Sequence, residues 1–164
     1  MPALRFRRWI PLMLCLLIVA FFSSQSAEEQ DLSPIIGEIA PIIRLVRALP
    51  HMSLTYAGRV VDNRQDPVGF VQFFIRKTAH AVLYAAVGFS FAFAIEPQGL
   101  TPAALWLASA AFVVLVGSID ELRQAALPGR NGLAVDVCID LGGFMVAYFI
   151  RSLLLARRRH ARRG

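Results

Sequence analysis

TAHAVLYAAVGFSFAFAIEPQGLTPAALWLASAAFVVLVGSI, residues 78–119, decides the fold. Two apolar runs flank the turn EPQGLTP, residues 96–102. A bilayer-spanning helix needs about 20 mostly apolar residues, and each run comes close to that. The turn is so short that the two runs must form an antiparallel helical hairpin. Outward from this hairpin lie two further runs. WIPLMLCLLIVAFFSSQ occupies 9–25, and a fourth run extends from about 133 to 155.

Composition points the same way. The 164 residues suffice for one domain. They are 57% hydrophobic and 17% charged, with a mean hydropathy of +0.58. Soluble domains carry about 25% charged residues. The expectation is an all-α membrane protein with four transmembrane helices in an up-down bundle, spans at 9–25, 76–95, 103–120 and 133–155. It forms a single transmembrane domain over 1–164, with a long outer loop after helix one. The second helix starts ahead of its span, because Asp66 can cap it, Pro67 suits its first turn and VGFVQFFI follows. Within 26–65, Ile35, Ile39, Ile42, Ile43, Val46 and Leu49 trace a helical stripe broken at Pro41. One or two short helices on the bilayer surface or against the bundle are expected there.

The first run has a rival reading. Arg5, Arg7 and Arg8, a short apolar core and SSQSA resemble a signal peptide. Its core is at the upper length for a signal, and its polar end fits the cluster described below, so a retained helix is the better reading.

The net charge of +6 sits mostly in the tails. LARRRHARRG beside an apolar segment reads as a cytoplasmic anchor at the lipid bilayer. No recognition motif accompanies it, so nucleic acid is not an expected partner. Of 17 basic residues all but Lys77 are arginine, a bias common in GC-rich bacterial genomes. Three arginines precede helix one and five follow residue 156, which places both termini in the cytoplasm of a multi-pass protein of the bacterial inner membrane. Arg76 and Lys77 argue against that orientation. Cys15 and Cys138 stand alone in apolar runs without a CxxC, so neither a disulfide framework nor a zinc site is read; no metal is assigned and the cofactor is unknown.

The alternation of four spans gathers polar residues at one end. Ser24 and Gln25 end the first helix; Lys77, His80 and Tyr84 begin the second. Asp120, Glu121 and Gln124 end the third, and Asp136 and Asp140 begin the fourth. Lys77, His80 and Tyr84 share a helical face at i, i+3 and i+7, while Asp120 and Gln124, and Asp136 and Asp140, are spaced i, i+4. At about 1.5 Å per residue, Tyr84 and Asp140 lie at matching depths, roughly 12 Å from Arg76 and Gly132. Gly142 and Gly143 below permit close helix approach. Ionisable groups in a span cost about 2.5–3.5 kcal/mol each on insertion scales. They must therefore face an interior, water or one another. Taken singly, each reads as a structural ion pair or a solvated loop end. Together they read as a polar pocket open to the outer face, with PGRNG as the turn that hangs Arg130 over its mouth.

FFSSQ, KTAHAVLY and DELRQ…PGR…D, followed by Gly142 and Gly143, resemble in this order the VanZ-like family of bacterial integral membrane proteins, over nearly the whole chain. The resemblance implies a multi-spanning protein of the cell envelope. The family's founding member is associated with low-level resistance to the glycopeptide antibiotic teicoplanin, by a route separate from rebuilding the peptidoglycan precursor. The family pattern usually has asparagine where this chain has Asp140. No reaction carries over with the resemblance.

Three functions follow as expectations. The first is binding of an outer-leaflet lipid phosphate or polyprenyl-linked head group, with Lys77, Arg130 and His80 as donors. The second is a membrane-embedded hydrolase or transferase acting on a lipid. There His80 would be base or nucleophile and Asp120, Glu121, Asp136 and Asp140 acid, orienting group or metal ligands; such hard oxygen ligands favour Mg²⁺, Mn²⁺ or Ca²⁺. No GxSxG or HExxH supports it. The third is transport, for which four short spans without a repeat would need an oligomer.

Overall fold

A computed structural model describes residues 6–127, 130 and 132–161, with side chains described only to Leu154 among the last of these. Pro128, Gly129 and Asn131 of the expected PGRNG turn lie outside the described residues, as do Arg5, Arg162 and Arg163 of the basic tails. The elements are α1 (Ile10–Ser23), α2 (Ser33–Glu38), α3 (Ala40–Ala48), β1 (Ser53–Tyr56), β2 (Arg59–Asp62), α4 (Pro67–Ile95), α5 (Pro102–Ala125) and α6 (Ala134–Ala161).

Among the described residues, three helical stretches are long and apolar enough to cross a membrane: Pro67–Gln98, Pro102–Ala125 and Ala134–Leu154. The apolar α1 has 14 residues, or about 21 Å of helix against a hydrocarbon core of about 30 Å. The helix starts follow local chemistry. The Asp66 carboxylate accepts from the Gly69 N–H at 2.9 Å with Pro67 at the first position, so α4 begins well ahead of its apolar run, as read from the sequence. Thr101 Oγ1 accepts from Ala104 N–H at 3.2 Å, again with proline next, and starts α5. Between them Gly99, at φ +72°, makes the turn that an L side chain would strain.

The exterior is the apolar part. Leu17 is 65% exposed, Val82 64%, Leu115 57% and Phe149 63%, at positions spread over all four apolar helices. In water such a surface would be an aggregation liability; in lipid it is the solvated face. The apolar core is small: Leu12, Val19, Tyr84, Val87, Val113 and Phe144. Phe91 stacks on Phe112 with centroids 4.1 Å apart, joining α4 to α5. Gly143 brings α6 against α4, since a Cβ there would lie 2.3 Å from the Ala81 carbonyl oxygen. Among the described residues a Cβ on Gly142 would meet nothing within 4 Å, so of the two expected close-approach glycines it is Gly143 that has that role.

Among the described residues the fold departs from all-α in one place. β1 and β2 pair antiparallel, Ser53 with Asp62 through Tyr56 with Arg59, around a two-residue turn. Ala57 at φ 53° and Gly58 at φ 75° supply the left-handed pair that such a turn demands. The hairpin's base is pinned by Asn63, fully buried, whose side chain donates to the Val46 and Pro50 carbonyls and accepts from Met52 N–H. Asp62 accepts from the Arg64 and Gln65 N–H groups and pairs with His51 Nε2 at 2.8 Å. The short helices α2 and α3 precede it, divided at Ile39, one residue before the proline-bearing start of α3.

Candidate functional site

At the end of the bundle where α5 finishes and α6 begins, the predicted polar residues do meet. Tyr84 Oη donates to Asp120 Oδ2 at 2.8 Å, and Gln124 Nε2 donates to the same oxygen at 3.0 Å. Arg130 then donates to Gln124 Oε1 at 2.7 Å. This chain of bonds crosses from α4 through α5 to the loop before α6. Gly117 makes the depth match, since a Cβ there would lie 3.3 Å from Asp140 Oδ2 and 3.7 Å from the Tyr84 ring. The two residues set at similar depth by spacing therefore share one layer. The His80 ring stacks on Tyr84, and His80 Nδ1 lies 3.4 Å from Asp140 Oδ1.

Lys77 pairs with Asp136 and lies 4.5 Å from the centroid of the Tyr56 ring. Tyr56 also donates its hydroxyl to Asp136. Burial and then this bond to a carboxylate raise the Tyr56 phenol above its ordinary pKa, so it stays a donor. Glu121 Oε2 accepts from the Leu133 N–H at 2.7 Å, tying α5 to the start of α6. Gly132 is needed for that approach, because a Cβ would lie 2.2 Å from the Glu121 carbonyl oxygen.

The sequence reading is amended in three places. Ser24 is exposed and its hydroxyl turns back to the Phe21 carbonyl, because the helix end offers that free acceptor. It is Ser23 that is buried, at 2% exposure. Gln25 is held by Gln30 Nε2 at 3.2 Å and stands at the edge of the cluster. Arg130 is tucked in at 8% exposure, not held over the mouth; Gln124 draws it inward. Burial, and then the like charge of Arg76, lower its guanidinium from the ordinary value. Tyr56 and Arg76 were not assigned to the site from sequence. The hairpin signal for Tyr56 was legible, as SLTY and RVVD, rich in β-formers, flank a two-residue turn ending in glycine.

Two cavities adjoin the cluster. One, of about 400 Å³, is mixed: Arg59, Arg76, Lys77 and Arg130 stand in its wall with Asp62, Asp66 and Asp136, beside Tyr56 and apolar side chains such as Phe70 and Phe73. The other, of about 650 Å³, is an apolar groove between α1 and α4. Ile18, Val19, Phe22, Ile75, Val82 and Leu83 line it, and His80, Tyr84 and Asp120 lie at its polar side. Arg76 and Gln124 line both. Lys77 has Asp136, whereas Arg59, Arg76 and Arg130 have no carboxylate within 4 Å among the described residues. His80, Asp120 and Glu121 each offer a ligand atom, and these atoms lie within 4.8 Å of one another.

Comparison with curated proteins and with solved structures finds no match. The VanZ/LLP1 family profile matches residues 8–155, which takes in every helix described except the last residues of α6. With the motifs of the polar cluster spread through that whole range, the chain belongs to the VanZ/LLP1 family.

Proposed function

We propose that this protein binds a phosphate-bearing lipid of the cell envelope, with the head group in the arginine-lined cavity and the chains in the apolar groove. The observation that carries this reading is the junction of the two cavities at Arg76 and Gln124. An amphiphile has the same division, one charged end joined to an apolar length. Arg59, Arg76 and Arg130 supply cations without carboxylate partners among the described residues, and guanidinium suits phosphate oxygens bidentately. Tyr56, Lys77 and Asp136 form one wall and hold one another in place.

In this reading all four apolar helices span the inner membrane of a bacterium, with α1 crossing a locally thinned bilayer. Arg8 reaches the Phe93 carbonyl and Glu96, so the start of α1 stands beside the end of α4. Both termini are then cytoplasmic and the hairpin faces outward. Val60→Cys and Leu100→Cys, each made with Cys15 and Cys138 replaced by alanine, test this. Val60 is 63% exposed and Leu100 40%. A membrane-impermeant thiol reagent added to intact cells labels the first and spares the second; the reverse pattern inverts the topology.

Native mass spectrometry of the purified chain with phosphatidylglycerol, undecaprenyl phosphate, phosphatidylcholine or diacylglycerol tests the binding. A hydrogen bond to a charged group contributes about 1.5–3 kcal/mol, so Arg76→Gln weakens binding of the anionic lipids by roughly tenfold or more. Ala79→Trp, which fills the groove, weakens all lipids. Equal affinity for diacylglycerol, which has no phosphate, or anionic-lipid binding unchanged by Arg76→Gln, would refute the reading. The grouping of His80, Asp120 and Glu121 favours a second reading, in which the bound lipid is hydrolysed or transferred. Release of phosphate from undecaprenyl phosphate, or of glycerol or glycerol phosphate from phosphatidylglycerol, abolished by His80→Ala, would establish hydrolysis; the absence of every such product from the intact protein removes it.

A further inference from the structure

We infer that His80, Asp120, Glu121 and Asp140 form a binding site for one divalent cation, inward of the lipid head-group cavity. Three carboxylates converge here within the bundle. Asp120 and Glu121 are each 5% exposed and Asp140 is fully buried. Asp120 Oδ1, Glu121 Oε1 and both oxygens of Asp140 have no hydrogen-bond partner among the described residues, and neither does His80 Nδ1.

The partnered oxygens receive only neutral donors. Asp120 takes the Tyr84 hydroxyl and the Gln124 amide, and Glu121 takes the Leu133 N–H. Lys77 pairs with Asp136 and Arg130 bonds to Gln124, and no lysine or arginine lies within 4 Å of the Asp120, Glu121 or Asp140 carboxylates among the described residues. Buried carboxylates without partners are strongly disfavoured in their charged form. A cation held by His80, Asp120 and Glu121 satisfies the free oxygens of Asp120 and Glu121 and stands beside the Asp140 carboxylate, which neighbours His80.

Geometry supports the same occupant. His80, Asp120 and Glu121 hold their ligand atoms within 4.8 Å of one another. Ligand atoms about 90–120° apart on a metal stand about 3.1–3.8 Å apart at bonds of roughly 2.2 Å, so the side chains draw together as the ion binds. Asp140 is an independent fourth member, on another helix, with Oδ1 at 3.4 Å from His80 Nδ1. One imidazole with three carboxylates suits Mn²⁺ and its neighbours better than Ca²⁺, which prefers oxygen throughout. Gly117 leaves the room at Asp140 that the arrangement requires.

The test uses the full chain in detergent, stripped with a chelator and titrated with Mn²⁺ alone, with no lipid added, so its outcome does not depend on the lipid reading. Electron paramagnetic resonance counts the free aquo ion. One Mn²⁺ per chain is expected, and the bound ion carries a nitrogen coupling from His80 that His80→Ala removes. Changing a residue that merely holds a ligand in place already lowers metal affinity about 10–100-fold. Loss of a ligand charge in Asp140→Asn, which keeps the side-chain shape, therefore weakens Mn²⁺ by at least about tenfold. Glu96→Gln, at the opposite end of α4 and paired with Arg8, leaves it unchanged. Absence of stoichiometric Mn²⁺, absence of nitrogen coupling in the unaltered chain, or unchanged affinity in a folded Asp140→Asn protein overturns the proposal.

Discussion

Tyr56→Phe separates one bond from everything around it. The hydroxyl donates to Asp136, while the ring lies over Lys77 at 4.5 Å and edge-on to Phe73 at 5.1 Å. Phenylalanine keeps both ring contacts and removes only the donor. A hydrogen bond to a charged group contributes about 1.5–3 kcal/mol when well buried. Tyr56 is half-buried, and solvent screens part of that, leaving about 1–2 kcal/mol. At about 1.4 kcal/mol per factor of ten, local opening of the hairpin tip becomes roughly 5–30 times more frequent. Hydrogen exchange read by mass spectrometry checks this on peptides covering residues 54–60. The base of the hairpin serves as the internal control. It is held independently by Asn63 and by the Asp62–His51 pair, so peptides covering 61–66 keep their exchange rates. Tip exchange within twofold of the unaltered protein would refute the anchoring role of the hydroxyl. Faster exchange over tip and base together would show that the substitution loosens the whole loop instead.

Two further outcomes follow from packing and charge. Gly143→Ala forces a methyl against the Ala81 backbone, where Gly142→Ala meets open space; the first lowers stability by about 1–3 kcal/mol and the second does not, as checked by thermal unfolding in detergent. Asp62 is held below the ordinary carboxylate range by its hydrogen bond from His51 and by the Gln65 and Arg64 N–H groups. A depressed folded-state pKa contributes stability that is present above the unfolded value, near 3.8, and is lost as pH falls further toward the folded one. Asp62→Asn therefore raises hairpin-base exchange at pH 7, and the two proteins converge only below about pH 4; a difference that already vanishes by pH 5 counts against the assignment.

The long apolar elements and most of the cluster were legible in sequence because lipid imposes a simple rule. Runs such as 78–95 and 103–119 have no soluble use, and charges inside them must meet partners. Helical spacing then placed Tyr84 and Asp140 in one layer, and the structure puts both against Gly117. The hairpin was missed for a different reason. Its strands are four residues each, and the isoleucine stripe before them drew the reading toward helix throughout 26–65. Its turn places alanine, not asparagine or aspartate, at a left-handed position, which weakens the usual signature. Ser24 went astray because two adjacent serines at a helix end are equivalent in sequence; only the roll of α1 against α4 decides that Ser23 turns inward. Arg130 was placed at the surface because it sits beside a turn. Nothing in spacing alone says that Gln124 bonds it inward.

The cluster and the cavities explain one another through their dielectric surroundings. The exterior of the helices is apolar, so every charge in the spans gains by turning inward, where the field of each is stronger than in water. That turns Asp120, Glu121 and Asp140 inward, while the cavity beyond Gln124 holds Arg59, Arg76, Lys77 and Arg130 beside Asp62, Asp66 and Asp136. Gln124 is the hinge of this division. It donates to Asp120 and accepts from Arg130, so its amide must point one way only. Glutamate there would add a fourth negative charge and lose the donor to Asp120, whereas leucine would leave Arg130 buried without its partner. The amide at position 124 therefore links the buried carboxylates to Arg130 through hydrogen bonds, with no direct ion pair between them among the described residues. A phosphate-bearing head group and a divalent cation could then be held as neighbours, each by the charges of opposite sign.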